Sequence, residues 1–472
     1  MPQVLSAHSR VRQNFAAQIC ALGSRRARLM TSPDFPAASD TLPEKPLCTG
    51  LRSRWRGYNS FTMSAQISSL VVGTLSAFRL IGWIFLALAV AGTISSTIFL
   101  GLALAGAWRY LRASRHVEAT QDSNLPPVSV LKPVHGFEPA LRENLGSFFC
   151  QEYPDYEILI AAAEENDAAL PVVREVCARY PQIRSKVLVT GTPPWPNPPA
   201  YAFYRMTAIS QHDILVTSDS DVRVSPNYLR EVVAPLLDKK NGLVTCLYRG
   251  KSLGGFWSAL DAIGMSVEMT AGVLVANLLE GMKFALGPTI AVRKDALAKI
   301  GGYPAVGDYF SNDFAIGSLV AKAGYRVILS RHVIDHVVPP MSFRRMWERQ
   351  VRWAKGTRYS RPKGHFGTGL IFAMPYGILG FASATLLGLP GLALLLLGAA
   401  LLNRLIECWV IGWKVVRDPQ ARRAVWLCPV RDIFGFLVWC ASYLSPRTVW
   451  RDSQYELLEG GRIVRRERST NE

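Results

Sequence analysis

From Leu80 to Trp108 the chain runs for 29 residues without a charged side chain. About 20 apolar residues suffice to cross a bilayer as a helix. A soluble core helix of that length would carry a polar face. The run therefore predicts a transmembrane anchor. A second apolar block extends from Phe366 to Leu402, punctuated by Pro375 and Pro390, with Gly388 and Gly391 beside the second proline. It predicts two membrane passes with a break near Gly388-Leu389-Pro390. A third stretch, Ile433 to Leu444, spans about 12 residues and reads as re-entrant or interfacial.

Composition agrees. Of 472 residues, 49% are hydrophobic and only 19% charged, which excludes a disordered chain. A mean hydropathy of +0.15 excludes an ordinary soluble enzyme. The net charge of +18 fits nucleic acid or a membrane surface. No basic run is interleaved with aromatics and no nucleic-acid-binding module is recognisable, so no nucleic-acid partner is expected. The eight cysteines form no C-x-x-C pair, and they read as free thiols.

Arg109, Arg112 and Arg115 follow the first apolar run and put the globular part on the cytosolic side. The expected organisation has six parts. Residues 1–62 are an extension that is disordered, cleaved or not translated, with a transit-like peptide as the rival reading. They carry nine Lys/Arg against three Asp/Glu, and Met63 offers an alternative start. Residues 63–116 hold the anchor, 120–345 a catalytic domain with soluble alternation, and 342–363 an amphipathic interfacial segment. Residues 366–445 form a transmembrane or re-entrant region and 446–472 a cytosolic tail. A multi-pass protein of a bacterial inner membrane is expected.

Within the globular part, strands are predicted at Val128–Lys132, Tyr156–Ile160, Lys186–Val189 and Asp213–Thr217. Helical patterns lie between them at Pro139–Cys150, Leu170–Tyr180 and Tyr201–Gln211. This alternation predicts an α/β fold with a mostly parallel sheet, whose ligands sit at the carboxyl ends of strands. Acidic residues stand there: Glu164 and Glu165 after the second strand, and Asp219-Ser-Asp221 after the fourth. An Asp-x-Asp turn can chelate Mg²⁺ or Mn²⁺, which take one or two carboxylates plus phosphate oxygens. It can equally be a solvated turn or a helix cap.

Further on come Gly287-Pro-Thr-Ile, Tyr309-Phe-Ser-Asn-Asp313 and Arg349-Gln-Val-Arg352-Trp353. The order of Asp-Ser-Asp, a later Asp and Arg-x-x-Arg-Trp resembles inverting glycosyltransferases of families 2 and 21. Val128-Ser-Val-Leu-Lys-Pro-Val-His-Gly136, Gln151-Glu-Tyr-Pro-Asp-Tyr-Glu157, Ser218-Asp-Ser-Asp-Val-Arg-Val224 and Ser445-Pro-Arg-Thr-Val-Trp450 resemble the ceramide glucosyltransferase family. The resemblance covers about 125–462 and implies a GT-A fold. It also implies a UDP-sugar donor, glucose transfer from UDP-glucose to ceramide, and a divalent metal. The hopanoid N-acetylglucosaminyltransferase is the nearest alternative, and a scaffold with a degenerate transferase domain is the alternative of another class.

By this resemblance Glu164 or Glu165 contacts uracil and ribose, and Asp219 and Asp221 hold the metal. Asp313 is the general base, and Arg349, Arg352 and Trp353 line the acceptor and diphosphate side. Relatives carry a lysine in the donor loop, where this chain has Trp195-Pro-Asn-Pro-Pro-Ala200. Either Lys132 or Arg205 substitutes for it, or the donor preference differs. Read alone, Asp313 could cap a helix, Arg349 and Arg352 could face lipid headgroups, and Trp353 could anchor at the interface. His332 and His336, four apart on a strand end, read as structural, with His336 retained as a metal or phosphate candidate.

Overall fold

The computed structural model describes residues 60–113, 125–450 and 453–466, with side chains from residue 74 onward except those of Leu75 and Ala113. Expectations for residues 1–59 and for Arg115 lie outside the described residues. So do the side chains of 60–62.

β1 (Val128–Pro133), β2 (Tyr156–Ala162), β3 (Arg184–Val189) and β4 (Ile214–Thr217) alternate with helices Leu141–Phe149, Leu170–Arg179 and Pro198–Ile209. These four strands pair in parallel. Every residue of β1, β2 and β4 is buried, as expected of parallel strands covered on both faces. Leu131, Leu159 and Leu215 enter the core on one side of the sheet, and Val130, Ile158 and Val216 the core on the other. That is the period-2 alternation of strand side chains. Burial stabilises each such side chain by about 1.5–3 kcal/mol.

The second half of the sheet is not parallel throughout. It adds β5 (Val222–Arg223), β6 (Asn241–Ser252), β7 (Ile290–Arg293) and β8 (Arg326–Val338). The order is β3-β2-β1-β4-β7-β6-β8-β5. β7 runs antiparallel to both β4 and β6, whereas β6 and β8 pair in parallel. At four residues, β7 is too short to stand out as a pattern. The result is a mixed α/β sheet of the nucleotide-diphospho-sugar transferase (GT-A) type.

Among the described residues, three helices are long and apolar enough to cross a membrane: Ser76–Arg112, Phe256–Glu280 and Pro390–Val415. The first and third fall in the expected blocks. The second lies within 120–345, where the sequence pattern predicts soluble alternation. Asp261 and Glu268 interrupt its apolar sequence, so a search for uncharged runs misses it. The Phe366–Leu402 block also differs from two full passes. Its first helix, Met374–Leu386, has 13 residues, short of the roughly 20 that a span needs. Gly388, at φ 78°, makes the expected break before Pro390. Close approach joins these helices: a side chain at Gly92 would collide with the Tyr376 ring, and one at Gly106 with the Leu274 carbonyl.

Ser342 caps the helix Phe343–Ser360, its Oγ accepting from Arg345 N at 3.3 Å. The residues expected as a tail form an antiparallel sheet of β9 (Arg447–Trp450), β10 (Ser453–Leu457) and β11 (Ile463–Arg466).

Candidate active site

Chain order reverses between β1 and β4, and strands that diverge there open a crevice at their carboxyl ends. β4 ends at Thr217, so Ser218-Asp219-Ser220-Asp221 turns at the mouth of that crevice. Lys132, at the end of β1, is fully buried beneath the turn. Its Nζ donates to the Asp219 carbonyl and to Ser218 Oγ at 3.4 Å, and it lies 3.9 Å from the Phe148 ring centroid. From the outer side, Glu138 Oε1 accepts from Ser220 Oγ at 2.6 Å.

A cavity of about 220 Å³ opens here. Its wall brings together Asp219, Asp313, Arg352 and Trp353 with Phe310, Gly287 and Trp450. These residues come from the turn after β4, the loop before β7, the segment leading into and the first turn of the helix Asn312–Lys322, the helix Phe343–Ser360 and β9, so only folding assembles them. Asp313 stands in the first turn of its helix. Backbone N–H groups of Phe314, Gly287 and Asp313 itself bond to its carboxylate, yet it lines the cavity. The N-cap position itself belongs to Ser311, so Asp313 is a first-turn acid that also lines the cavity.

Asp221 turns toward β8. His336 Nε2 lies 3.1 Å from Asp221 Oδ2 and 2.9 Å from Arg349 Nη2. That nitrogen can donate to the first or accept from the second, so the contact depends on the imidazole's proton. Arg349 also reaches Asp261 Oδ2 at 3.5 Å and stacks 4.4 Å from the Trp353 ring centroid. Gln350 Nε2 donates to Asp261 Oδ1, and Arg431 Nη2 donates to Gln350 Oε1 at 3.0 Å.

Burial pushes Asp219 up to about 7, with Asp221 and Asp313 adding to the shift and His336 and Lys132 opposing it. Burial also works upward on Asp221, but the His336 charge and hydrogen bond, then Arg349 and Lys132, outweigh it and hold the group at about 2. Lys132 falls to about 7 through burial, against the pull of Asp219, Asp221 and Glu138. Asp313 is raised by burial, and the backbone N–H bonds only partly offset this.

Other expected residues lie elsewhere. Glu164 and Glu165 are exposed on the bend after β2, next to a hollow of about 30 Å³ lined by Ala163, His135, Thr190 and Tyr201. Lys132 does not line the large cavity, because its ammonium is held under the Asp219 turn. Arg205 Nη1 donates to the Thr190 carbonyl at 3.0 Å and Tyr201 Oη at 3.2 Å. Asn197 caps the helix Pro198–Ile209 and donates to the Tyr309 carbonyl at 2.7 Å, so the donor loop is tied to the Asp313 segment. His332 and His336 do not converge: His332 packs on Tyr228 and lies 3.3 Å from Ser225 Oγ.

Asp261 escaped the sequence reading. Its signal was an acid inside an apolar helix, a placement that requires a partner. Trp450 was read only as part of the tail.

An acidic turn at the switch point, a second carboxylate across the cavity and an Arg-x-x-Arg-Trp helix between apolar helices describe a membrane glycosyltransferase. The chain belongs to glycosyl transferase family 21, whose profile matches residues 88–463. It is 26% identical over 358 residues to ceramide glucosyltransferase 1 of Caenorhabditis elegans, covering 74% of this chain and 75% of the relative. Ceramide glucosyltransferase 3 of the same organism is 26% identical over 368 residues, covering 75% and 78%. Among solved structures, the mannosyltransferase PcManGT from Pyrobaculum calidifontis, in complex with GDP-Man and Mn²⁺, superposes with a TM-score of 0.48 at 20% identity. The match covers 74% of this chain and 99% of that one.

Proposed function

We propose that this protein transfers glucose from UDP-glucose to ceramide, with inversion, at the cytosolic face of a membrane. One observation carries the reading: Asp219, at the end of β4, and Asp313 share a cavity walled by Arg352 and Trp353. The similarity to two ceramide glucosyltransferases supports the choice of donor and acceptor. Arg109 and Arg112, at the end of the first apolar helix, support the cytosolic orientation.

The acidic turn fits a divalent cation. Asp221 Oδ1 is buried without a hydrogen-bond partner, and Asp219 faces the cavity. Among the described residues no group of three or more His, Cys, Asp or Glu side chains could hold a metal. That suits Mg²⁺ or Mn²⁺, for which one or two carboxylates suffice when phosphate oxygens and water complete the shell. Asp219 and Asp221 would hold the ion, which when bound offsets the charge that grows on the departing UDP.

The remaining roles fall to this chain's own groups. Asp313 takes the proton from the acceptor hydroxyl, and its raised pKa makes it a stronger base than an ordinary aspartate. Arg352 presents a guanidinium fork to the diphosphate. Arg349 and His336 orient Asp221 from behind. Trp353 gives the cavity an apolar face. Lys132 braces the Asp219 turn, and Glu164 or Glu165 meets the uracil and ribose at the end of β2.

The test incubates the purified full chain with labelled UDP-glucose, ceramide and Mg²⁺ or Mn²⁺. β-Linked glucosylceramide is expected. Product only with UDP-N-acetylglucosamine, or only with a hopanoid or diacylglycerol, would reassign the substrates. Absence of metal-dependent UDP binding would replace the enzyme by a scaffold.

A further inference from the structure

The sheet of β9, β10 and β11 is fastened to the segment that leads into Asp313. Phe310 N donates to the Gly461 carbonyl at 2.8 Å, and Ile463 N donates to the Asp308 carbonyl at 2.7 Å. Arg462 Nη1 meets Asp308 Oδ2 at 3.1 Å. From the helix Phe343–Ser360, Lys355 Nζ donates to the Arg447 carbonyl at 2.6 Å. These bonds hold β9 so that its last residue, Trp450, forms part of the cavity wall.

Within that wall Trp450 packs edge-on against Phe310, with centroids 5.6 Å apart at 64°, and against Tyr455 at 6.0 Å. Phe310 precedes Asp313 by three residues. Trp450 and Asp313 thus line one cavity, the one an acceptor hydroxyl must enter if Asp313 takes its proton. An indole there offers a broad, rigid apolar face with little entropy to lose. Such a face suits a carbon chain attached next to a reacting hydroxyl.

We propose that Trp450 is a specificity-determining residue that packs on the lipid acceptor beside its reacting hydroxyl, so that the C-terminal sheet completes the acceptor site. The proposal rests on the glucosyl-transfer reading above and assigns to the acceptor a wall that the polar donor does not need.

The test has two arms on the full chain. In the first, a photoactivatable ceramide is irradiated with the protein without UDP-glucose, and labelled peptides are identified by mass spectrometry. Labelling within 447–450 is expected. In the second, Trp450→Ala should raise the ceramide KM about tenfold, the scale of a lost aromatic packing contact. The UDP-glucose KM should not move, and Trp450→Phe should recover most of the loss. Where the alanine variant melts earlier than wild type, Trp450→Leu keeps the bulk and must show the same split. An unlabelled 447–450 peptide, an unchanged ceramide KM, or a rise in the UDP-glucose KM instead would each overturn the proposal. Labelling at 447–450 without any glucosylceramide from the wild type would leave the acceptor wall standing and remove the catalytic reading.

Discussion

Asp219 and Asp313 direct their Oδ2 oxygens at one point above Gly287, where a Cβ would lie 3.7 Å from the first and 3.1 Å from the second. The missing side chain is the gap between the two carboxylates. In the reading proposed above, metal binding at Asp219 and proton transfer at Asp313 would both need that gap free.

Gly287→Ala fills it. At 3.1 Å the Asp313 carboxylate must move by a few tenths of an ångström. Positional errors of that kind lower turnover more than binding. We expect kcat to fall about tenfold to a hundredfold, with UDP binding nearly intact. Steady-state kinetics beside UDP titration calorimetry would separate the two.

The raised pKa of Asp313 acts with opposite signs on rate and stability. As a base it must be ionised, so the rate falls as pH drops through a value above that of an ordinary aspartate. For stability, a carboxyl raised by burial favours the protonated fold, and its contribution is lost as pH rises through the folded pKa. Asp313→Asn should abolish turnover, leave UDP-sugar binding and raise the melting temperature at neutral pH. A variant that melts no later than wild type would show that burial does not penalise the charge.

His336→Ala removes the partner that holds Asp221 low. Asp221 then loses its orienting contact, and the apparent metal affinity should weaken about tenfold to a hundredfold, the usual loss of an outer partner. Chelation should silence the wild type, and Mn²⁺ titration of both proteins would measure the difference.

Asp261 is fully buried, accepts from Gln350 Nε2 and faces Arg349 Nη1 at 3.5 Å. Asp261→Ala leaves Gln350 Nε2 without its acceptor in the interior, at about 1–3 kcal/mol, and removes the carboxylate opposite Arg349. Turnover should fall with Arg349 unanchored, and Asp261→Asn should recover part of it by keeping an acceptor for Gln350. Equal activity in all three proteins would make the network merely structural.

Among the C-terminal helices, Asp432 Oδ1 pairs with Arg404 Nη1 at 3.1 Å. Its Oδ2 accepts from Ala373 N at 2.8 Å and Met374 N at 2.7 Å, tying down the start of the helix Met374–Leu386. Arg404 and Asp432 are 3% and 1% exposed, and Arg404 keeps a second carboxylate, Glu407 Oε2 at 2.7 Å. Asp432→Ala therefore costs chiefly the two backbone N–H groups it leaves without an acceptor, about 1–3 kcal/mol each. Thermal unfolding in detergent would register this as a lower melting temperature.

Local signals were legible in the sequence because they repeat at short range. The strands of the parallel half, the anchor run and the Gly388 break each follow from a few neighbouring residues. The Asp-Ser-Asp turn and the Arg-x-x-Arg-Trp helix were likewise visible as motifs. The antiparallel β7 and the Phe256–Glu280 helix were not, since one is too short and the other is broken by acids that only tertiary partners make tolerable.

The sequence alone therefore determined the α/β alternation, the apolar helices and the inventory of acids and arginines. Only the tertiary structure decided how these residues are used. It put Asp219, Asp313 and Trp450 around one cavity, sent Lys132 beneath the acidic turn and joined Asp221 to Asp261 through His336 and Arg349. The physical reason is sequence separation: Asp219 and Trp450 stand at opposite ends of the sheet-to-tail path, and no local pattern encodes which distant groups packing will bring together.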